Sequence, residues 1–295
     1  MNSNMLIVES LEEYIMIIMR EFSNIRPNSY FEKERVFFRG QNNVEYKLMP
    51  SLGRQISKKQ ELTYARFENE MIKTSKLQNP EEFTKDKYPI NMLARMQHFG
   101  LPTRLLDITE NALVALFFAC QGQYKYHGKV FCFVRNQSEI HTAYSLHANL
   151  LASLNGFSML TATTLHQYWE SVKHEEFVSD REKYRENEKV LNSIRKSLSN
   201  PLFVLPEMIT EREKRQQAAF IIYPNKMIDE DSFTNELKNF TNFSSYEIGV
   251  TAKSKRKILK QLELLGISEQ FLFPEIDKKC MAVKDQTKYL IDQDD

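Results

Sequence analysis

In a chain of 295 residues, 40 Lys plus Arg stand against 39 Asp plus Glu. That balance leaves no global field to draw the protein to nucleic acid or to an anionic membrane, so any such binding must be local. The apolar share of 42% supplies a sizeable core for one large domain. No apolar run approaches the roughly 20 residues of a bilayer span, and the opening MNSNMLIVES lacks a basic leader, so a cytoplasmic protein with no membrane partner is expected.

Eight glycines and nine prolines argue for a helix-rich chain with few tight hairpins. Cys120, Cys132 and Cys280 are unclustered and lack metal-ligand spacing, which predicts buried thiols and no metal site. Ser10-Leu11-Glu12-Glu13 has capping-box form, and Leu11, Tyr14, Ile15, Ile18 and Phe22 follow at helical spacing, so residues 1–30 read as an N-terminal helix packing on the core. Residues 35–40, RVFFRG, read as a strand ending in a charged Arg39 before Gly40. A residue without a Cβ there lets a ligand or another backbone approach beside a guanidinium suited to bidentate binding of phosphate or carboxylate. The alternative is a structural salt bridge from Arg39 to an acidic partner such as Asp107. Residues 60–77 read as a second amphipathic helix.

Residues 91–120, NMLARMQHFGLPTRLLDITENALVALFFAC, carry the most information. Gly100 suits the left-handed position after a helix, with Leu101 folding back on Met96 and Pro102 preventing its resumption. A short polar loop holding Thr103, Arg104, Asp107 and Thr109 is then expected, with Asp107 or Thr109 capping the next helix. From residue 110 to 120 that helix has no polar face and is predicted to be the buried core helix. Ala112, Ala115 and Ala119 recur along it at a spacing that admits close approach by a neighbouring element.

Residues 129–135, KVFCFVR, form the clearest strand. From about 136 to 200 there is no strand pattern, and a helical insertion is expected, in which Trp169 packs and the charged stretch 173–189 faces solvent. His166 and His174 are too far apart along a helix for a metal pair. Strand signals resume at residues 201–206, 218–223 and 246–251. A helix at 253–265 carries five basic residues, read as a solvated face able to meet phosphates, and Gly266 stops it. The fold class that follows is α+β: a central sheet of several strands, the buried helix 110–120, and a helical insertion.

Phe38-Arg39-Gly40, the run Gln97-His98-Phe99-Gly100-Leu101-Pro102-Thr103-Arg104-Leu105-Leu106-Asp107-Ile108-Thr109, the pattern Arg212-x-x-x-Gln216-x-Ala218-x-Phe220 and the closing Leu272-Phe273-Pro274-Glu275-Ile276-Asp277 together resemble the FRG domain family. The resemblance assigns residues 31–295 to that domain. It departs at Ile108, where the family usually has Trp, and at Ala218, where it usually has Gly. The order of the blocks is also distantly similar to the ADP-ribosyltransferase core, and this implies NAD as substrate. Under that resemblance Arg39 holds the diphosphate or nicotinamide ribose, Thr109 orients the site and Gln216 meets the ribose 2′-hydroxyl. Gly40, His98 and Arg104 complete the cofactor-binding set, and Asp107, Gln216 and Glu213 form the catalytic set. Because a neutral amide cannot stabilise positive charge on the ribose, Asp107, Glu207, Glu211 or Glu213 must supply a carboxylate. The setting the resemblance suggests is a bacterial toxin or phage-defence effector acting on a protein or nucleic-acid target. Two other readings stand beside it. In one, Arg39, Arg104 and Gln216 bind a nucleotide or a partner's phosphate or carboxylate without catalysis. In the other, Arg39 and Arg104 only neutralise Asp107.

Overall fold

A computed structural model describes residues 5–25, 33–57, 62–154, 162–183, 186–208, 210–240 and 243–275. Eight strands form one sheet: β1 (Leu6–Val8), β2 (Glu34–Gln41), β3 (Leu105–Thr109), β4 (Gly128–Asn136), β5 (Ile140–Thr142), β6 (Leu202–Leu205), β7 (Ala218–Ile222) and β8 (Tyr246–Val250). Their order across the sheet is β1-β8-β4-β2-β3-β7-β6-β5. Pairing is antiparallel except at the two edges, where β1 runs parallel to β8 and β5 parallel to β6. The strands expected near residues 35, 129, 218 and 246 thus share one sheet, in an α+β architecture that also holds two small sheets.

The sheet is nearly divided. β2 pairs with β4 from Glu34↔Asn136 to Gln41↔Lys129, and β3 pairs with β7 from Thr109↔Ala218 to Leu105↔Ile222. Between these two ladders β2 and β3 share the single pair Phe38↔Thr109. Past it, where Arg39 and Gly40 would face Ile108 and Asp107, the strands part.

Why the helix following β3 lies so close to the sheet is written in two glycines. A Cβ added at Gly40 would sit 1.9 Å from the Ala115 carbonyl oxygen, and one at Gly128 would sit 2.2 Å from that of Ala119. Helix Ala112–Cys120 therefore lays its alanines directly on β2 and β4. The approach that Gly40 permits is that of the helix backbone. Val114, Ala115, Leu116, Phe117, Ala119 and Cys120 are buried, with Tyr14 and Leu11 of the first helix (Leu11–Phe22) and Ile258 and Leu262 of helix Lys255–Leu264 closing over them. Burial pushes the Cys120 thiol up to about 12 and raises that of Cys132 as well. Cys280 lies outside the described residues.

Three expectations need correction. Leu105–Thr109 is a strand and no loop: Leu105, Leu106 and Ile108 are buried between β2 and β7, and Asp107 alone faces out. Its polar ends masked a five-residue core strand. As a result the helix cap is Asn111, whose side chain accepts from the backbone N–H groups of Leu113 and Val114. Second, the segment 136–200 does contribute strand, as β5 at the sheet edge and as Thr163–Thr164 against Ser232 and Phe233. Runs of two or three residues are too short to show alternation. Third, Lys255 is fully buried and donates to the carbonyls of Asn42 (2.6 Å) and Gln123 (3.3 Å), so only the rest of that basic helix faces water.

Other readings hold. Ser10 caps the first helix, Gly100 and Gly266 take positive φ at helix ends, and Trp169 packs at 1% exposure. The second helix runs Glu68–Gln78 after a 3-10 turn at Tyr64–Phe67. Helices Leu146–Ala152, Leu165–Val172 and Asn187–Ser199 pack with helix Pro89–His98 in the largest apolar cluster, against Val204, Phe220 and Ile222 of the sheet. No described helix is long and apolar enough to cross a membrane.

Candidate functional site

Where β2 and β3 part, a cleft of about 170 Å³ opens, and three of the four separated sequence blocks meet in it. Its lining includes Arg39 and Gly40 from β2, Asp107 and Thr109 from β3, and Arg212 and Gln216 from helix Glu211–Gln216. Strand alternation sends the Arg39 side chain to the Phe37 face of the sheet and Asp107 to the Phe38 face.

The guanidinium crosses the opening. Arg104 O accepts from Tyr223 N, and Glu110 N donates to Gln217 O, so the even-numbered residues of β3 bond to β7 and the Asp107 carbonyl points towards β2. No β2 amide reaches it, and Arg39 Nη1 donates to it instead. Arg39 Nε is buried and without a hydrogen-bond partner among the described residues. Burial lowers the Arg39 pKa from its ordinary value; Asp107 opposes that shift and Arg54 adds to it. The guanidinium is thus an under-satisfied cation at the cleft wall.

Asp107 is exposed, and no ion pair joins its carboxylate to Arg39 among the described residues. Its Oδ1 accepts from Gln97 Nε2 at 2.7 Å. Gln97 is itself fixed by a hydrogen bond from the Thr103 hydroxyl. The buried Arg39–Asp107 salt bridge, expected as the structural alternative, is therefore not formed. Thr109 is fully committed: its hydroxyl donates to Gln216 O at 2.6 Å and accepts from Asn111 N at 2.9 Å, tying β3 to the end of helix Glu211–Gln216. The Gln216 amide donates to Leu272 O at 3.0 Å. Arg212 stacks on Phe273, 4.6 Å from the ring centre, and stands 3.9 Å from Glu275. The rest of the closing motif lies outside the described residues.

Three residues assigned to the site from the sequence are elsewhere. Arg104 is fully buried beyond the start of β3. Its Nε meets Glu68 Oε1 at 3.0 Å and its Nη2 meets Oε2, while Nη1 donates to Asn225 Oδ1 at 2.8 Å and Tyr223 O at 3.3 Å. With four of its five N–H donors committed inside the core and no exposed surface, this guanidinium is not presented to a ligand. Glu213 is the reciprocal member of a helix cap, its Oε2 accepting from Thr210 N and Oγ1 at 2.8 and 3.0 Å. His98 ends helix Pro89–His98 with its ring against Phe99 and lines neither this cleft nor the larger one beside it. Of the other candidate carboxylates, Glu211 pairs with Lys214 and Glu207 bonds to Tyr144. Among the described residues, Asp107 is the acidic one lining the small cleft.

Sequence reasoning missed Gln97 as the residue that orients Asp107. It also missed Gln41 and Arg54, which line a larger cleft on the other side of Arg39 and Gly40. Gln97 carried a signal, standing ten residues before Asp107 in one motif; Gln41 and Arg54 carried none. Residues 34–127 match the model of the FRG domain family, so the match covers β2, β3, the buried helix and the Arg39 and Asp107 walls of the cleft. No curated protein and no solved structure matches the chain.

Proposed function

We propose that this FRG domain forms a nucleotide site with ADP-ribosyltransferase-like chemistry, in which the small cleft takes the nicotinamide riboside end of NAD. The observation that carries the reading is the convergence of Arg39, Asp107 and Gln216, the outer two 177 positions apart in sequence, on one opening in the sheet. The residues fit the substrate. An under-satisfied guanidinium seeks a phosphate oxygen or ribose hydroxyl. The exposed carboxylate beside it has one oxygen held by Gln97.

In the reaction, the bond between nicotinamide nitrogen and ribose C1′ breaks with its electron pair leaving on nicotinamide, and positive charge develops at C1′ and the ring oxygen. Asp107 stabilises that charge, which Gln216 cannot do. A nucleophile of the acceptor then bonds to C1′ and gives up its proton. Gln216 acts by position, its backbone carbonyl held by Thr109 and its amide by Leu272. With Arg104 and Glu213 committed to the fold, the catalytic set reduces to Asp107, with Arg39 as the binding group.

A second reading, a nucleotide-binding domain without catalysis, is favoured by the neutral Gln216. Incubating the protein with NAD radiolabelled in its adenylate phosphate and with bacterial extract separates the two. Label transferred to protein or nucleic acid, together with released nicotinamide, is expected from wild type and not from Asp107→Asn. Binding of NAD with neither product would leave the non-catalytic reading. The cellular setting that goes with the enzyme reading is a toxin or phage-defence effector. Induced expression in bacteria should then arrest growth for wild type and not for Asp107→Asn.

A further inference from the structure

The larger cleft, of about 730 Å³, shares Arg39, Gly40 and Phe118 with the small one and is lined beyond them by Gln41, Lys47 and Arg54 among others, with no carboxylate among the described residues. Three cationic side chains without an acid call for an anion. Two buried atoms in its wall point to what else the ligand carries.

Gln41 is 6% exposed, and its Nε2 donates to Lys47 O at 3.3 Å. Rotating the amide would set two carbonyl oxygens against each other, so this orientation is fixed. Among the described residues it leaves Gln41 Oε1 buried and without a partner, as Arg39 Nε is. A buried acceptor and a buried donor left unpaired on neighbouring strand positions are costly unless a ligand supplies both complements.

We infer that the larger cleft binds a nucleoside phosphate, with its phosphate on Arg39, Arg54 and Lys47 and one of its hydroxyl or amino groups donating to Gln41 Oε1. This ligand class includes the ADP half of NAD, so the inference deepens the reading above, yet it requires no bond cleavage and none of the chemistry of Asp107.

Isothermal titration with ADP, adenosine and inorganic phosphate tests it. ADP should bind, and more tightly than either fragment, because only it joins a phosphate for the three cations to a nucleoside donor for Gln41 Oε1. The exposed Arg54 is remote from the core, and Arg54→Ala should weaken ADP about ten- to a hundredfold at unchanged folding. Gln41→Leu, which removes the unpaired acceptor, should bind inorganic phosphate as wild type does but lose the preference for ADP. Asp107→Asn should keep ADP binding while losing nicotinamide release, so the two readings fail separately. Three results would overturn the inference: no ADP binding at millimolar concentration, inorganic phosphate binding as tightly as ADP, or Arg54→Ala binding ADP like wild type.

Discussion

Arg104 provides the clearest test of the division between structure and site. Replacing it with Met keeps most of its volume but leaves the Glu68 carboxylate, 5% exposed, without its cation, and strips Asn225 Oδ1 of a charged donor. Breaking a buried pair by removing one partner costs about 3–5 kcal/mol, because an uncompensated charge stays in the core. In a chain of this size each kcal/mol lowers the melting temperature by roughly 2–4 °C, so Arg104→Met should melt on the order of 10 °C below wild type. Adding Glu68→Leu removes the stranded charge and should recover much of the loss. Circular dichroism melts at pH 7 read all three proteins. A single variant melting within about 2 °C of wild type, with its ligand affinity reduced instead, would refute the structural assignment.

Gly40→Ala should be far worse than Gly100→Ala. The first drives a methyl into the Ala115 carbonyl and should abolish soluble expression or cost several degrees. The second meets nothing within 4 Å and carries only the penalty of positive φ, about 1 kcal/mol. His141, hydrogen-bonded to Ser145 at 2.9 Å, is held down to about 4 by burial and by His147 beside it, against an ordinary value of 6.5. The unfolded chain then binds a proton that the folded chain refuses, so stability should fall as pH drops from 6.5 towards 4. His141→Gln should flatten that slope in urea titrations taken across the interval; an unchanged slope would remove His141 as its source.

The sheet was legible because its strands are apolar and long enough to declare themselves. Residues 35–40 and 129–135 alternate or run apolar over more than one pleat, and the polyalanine face of helix Ala112–Cys120 matched Gly40 and Gly128 across the interface. β3 was not legible, since Thr103, Asp107 and Thr109 mimic a loop when the neighbouring strands are unseen. The same blindness explains Arg104. In sequence it stands three residues from Asp107, but it lies beyond the start of β3 and away from the opening, and its partners Glu68 and Asn225 come from segments with no local link to it. Arg39 was legible because a charge ending an apolar strand needs a reason. Its actual partner, the carbonyl of Asp107, follows from strand divergence, which no local pattern encodes.

The central claim is that the opening between β2 and β3 is a ligand site with Arg39 as its anchor, and a paired thermal melt tests it most directly. NAD at a hundred times its dissociation constant stabilises the binding state by about 2.7 kcal/mol, which in a chain of this size is a rise of roughly 5–10 °C. Wild type should show that rise. Arg39→Lys, which keeps the charge but loses the planar fork, should melt near wild type without NAD and respond little to it. A wild type that does not respond to millimolar NAD, or an Arg39→Lys variant that responds equally, would contradict the account.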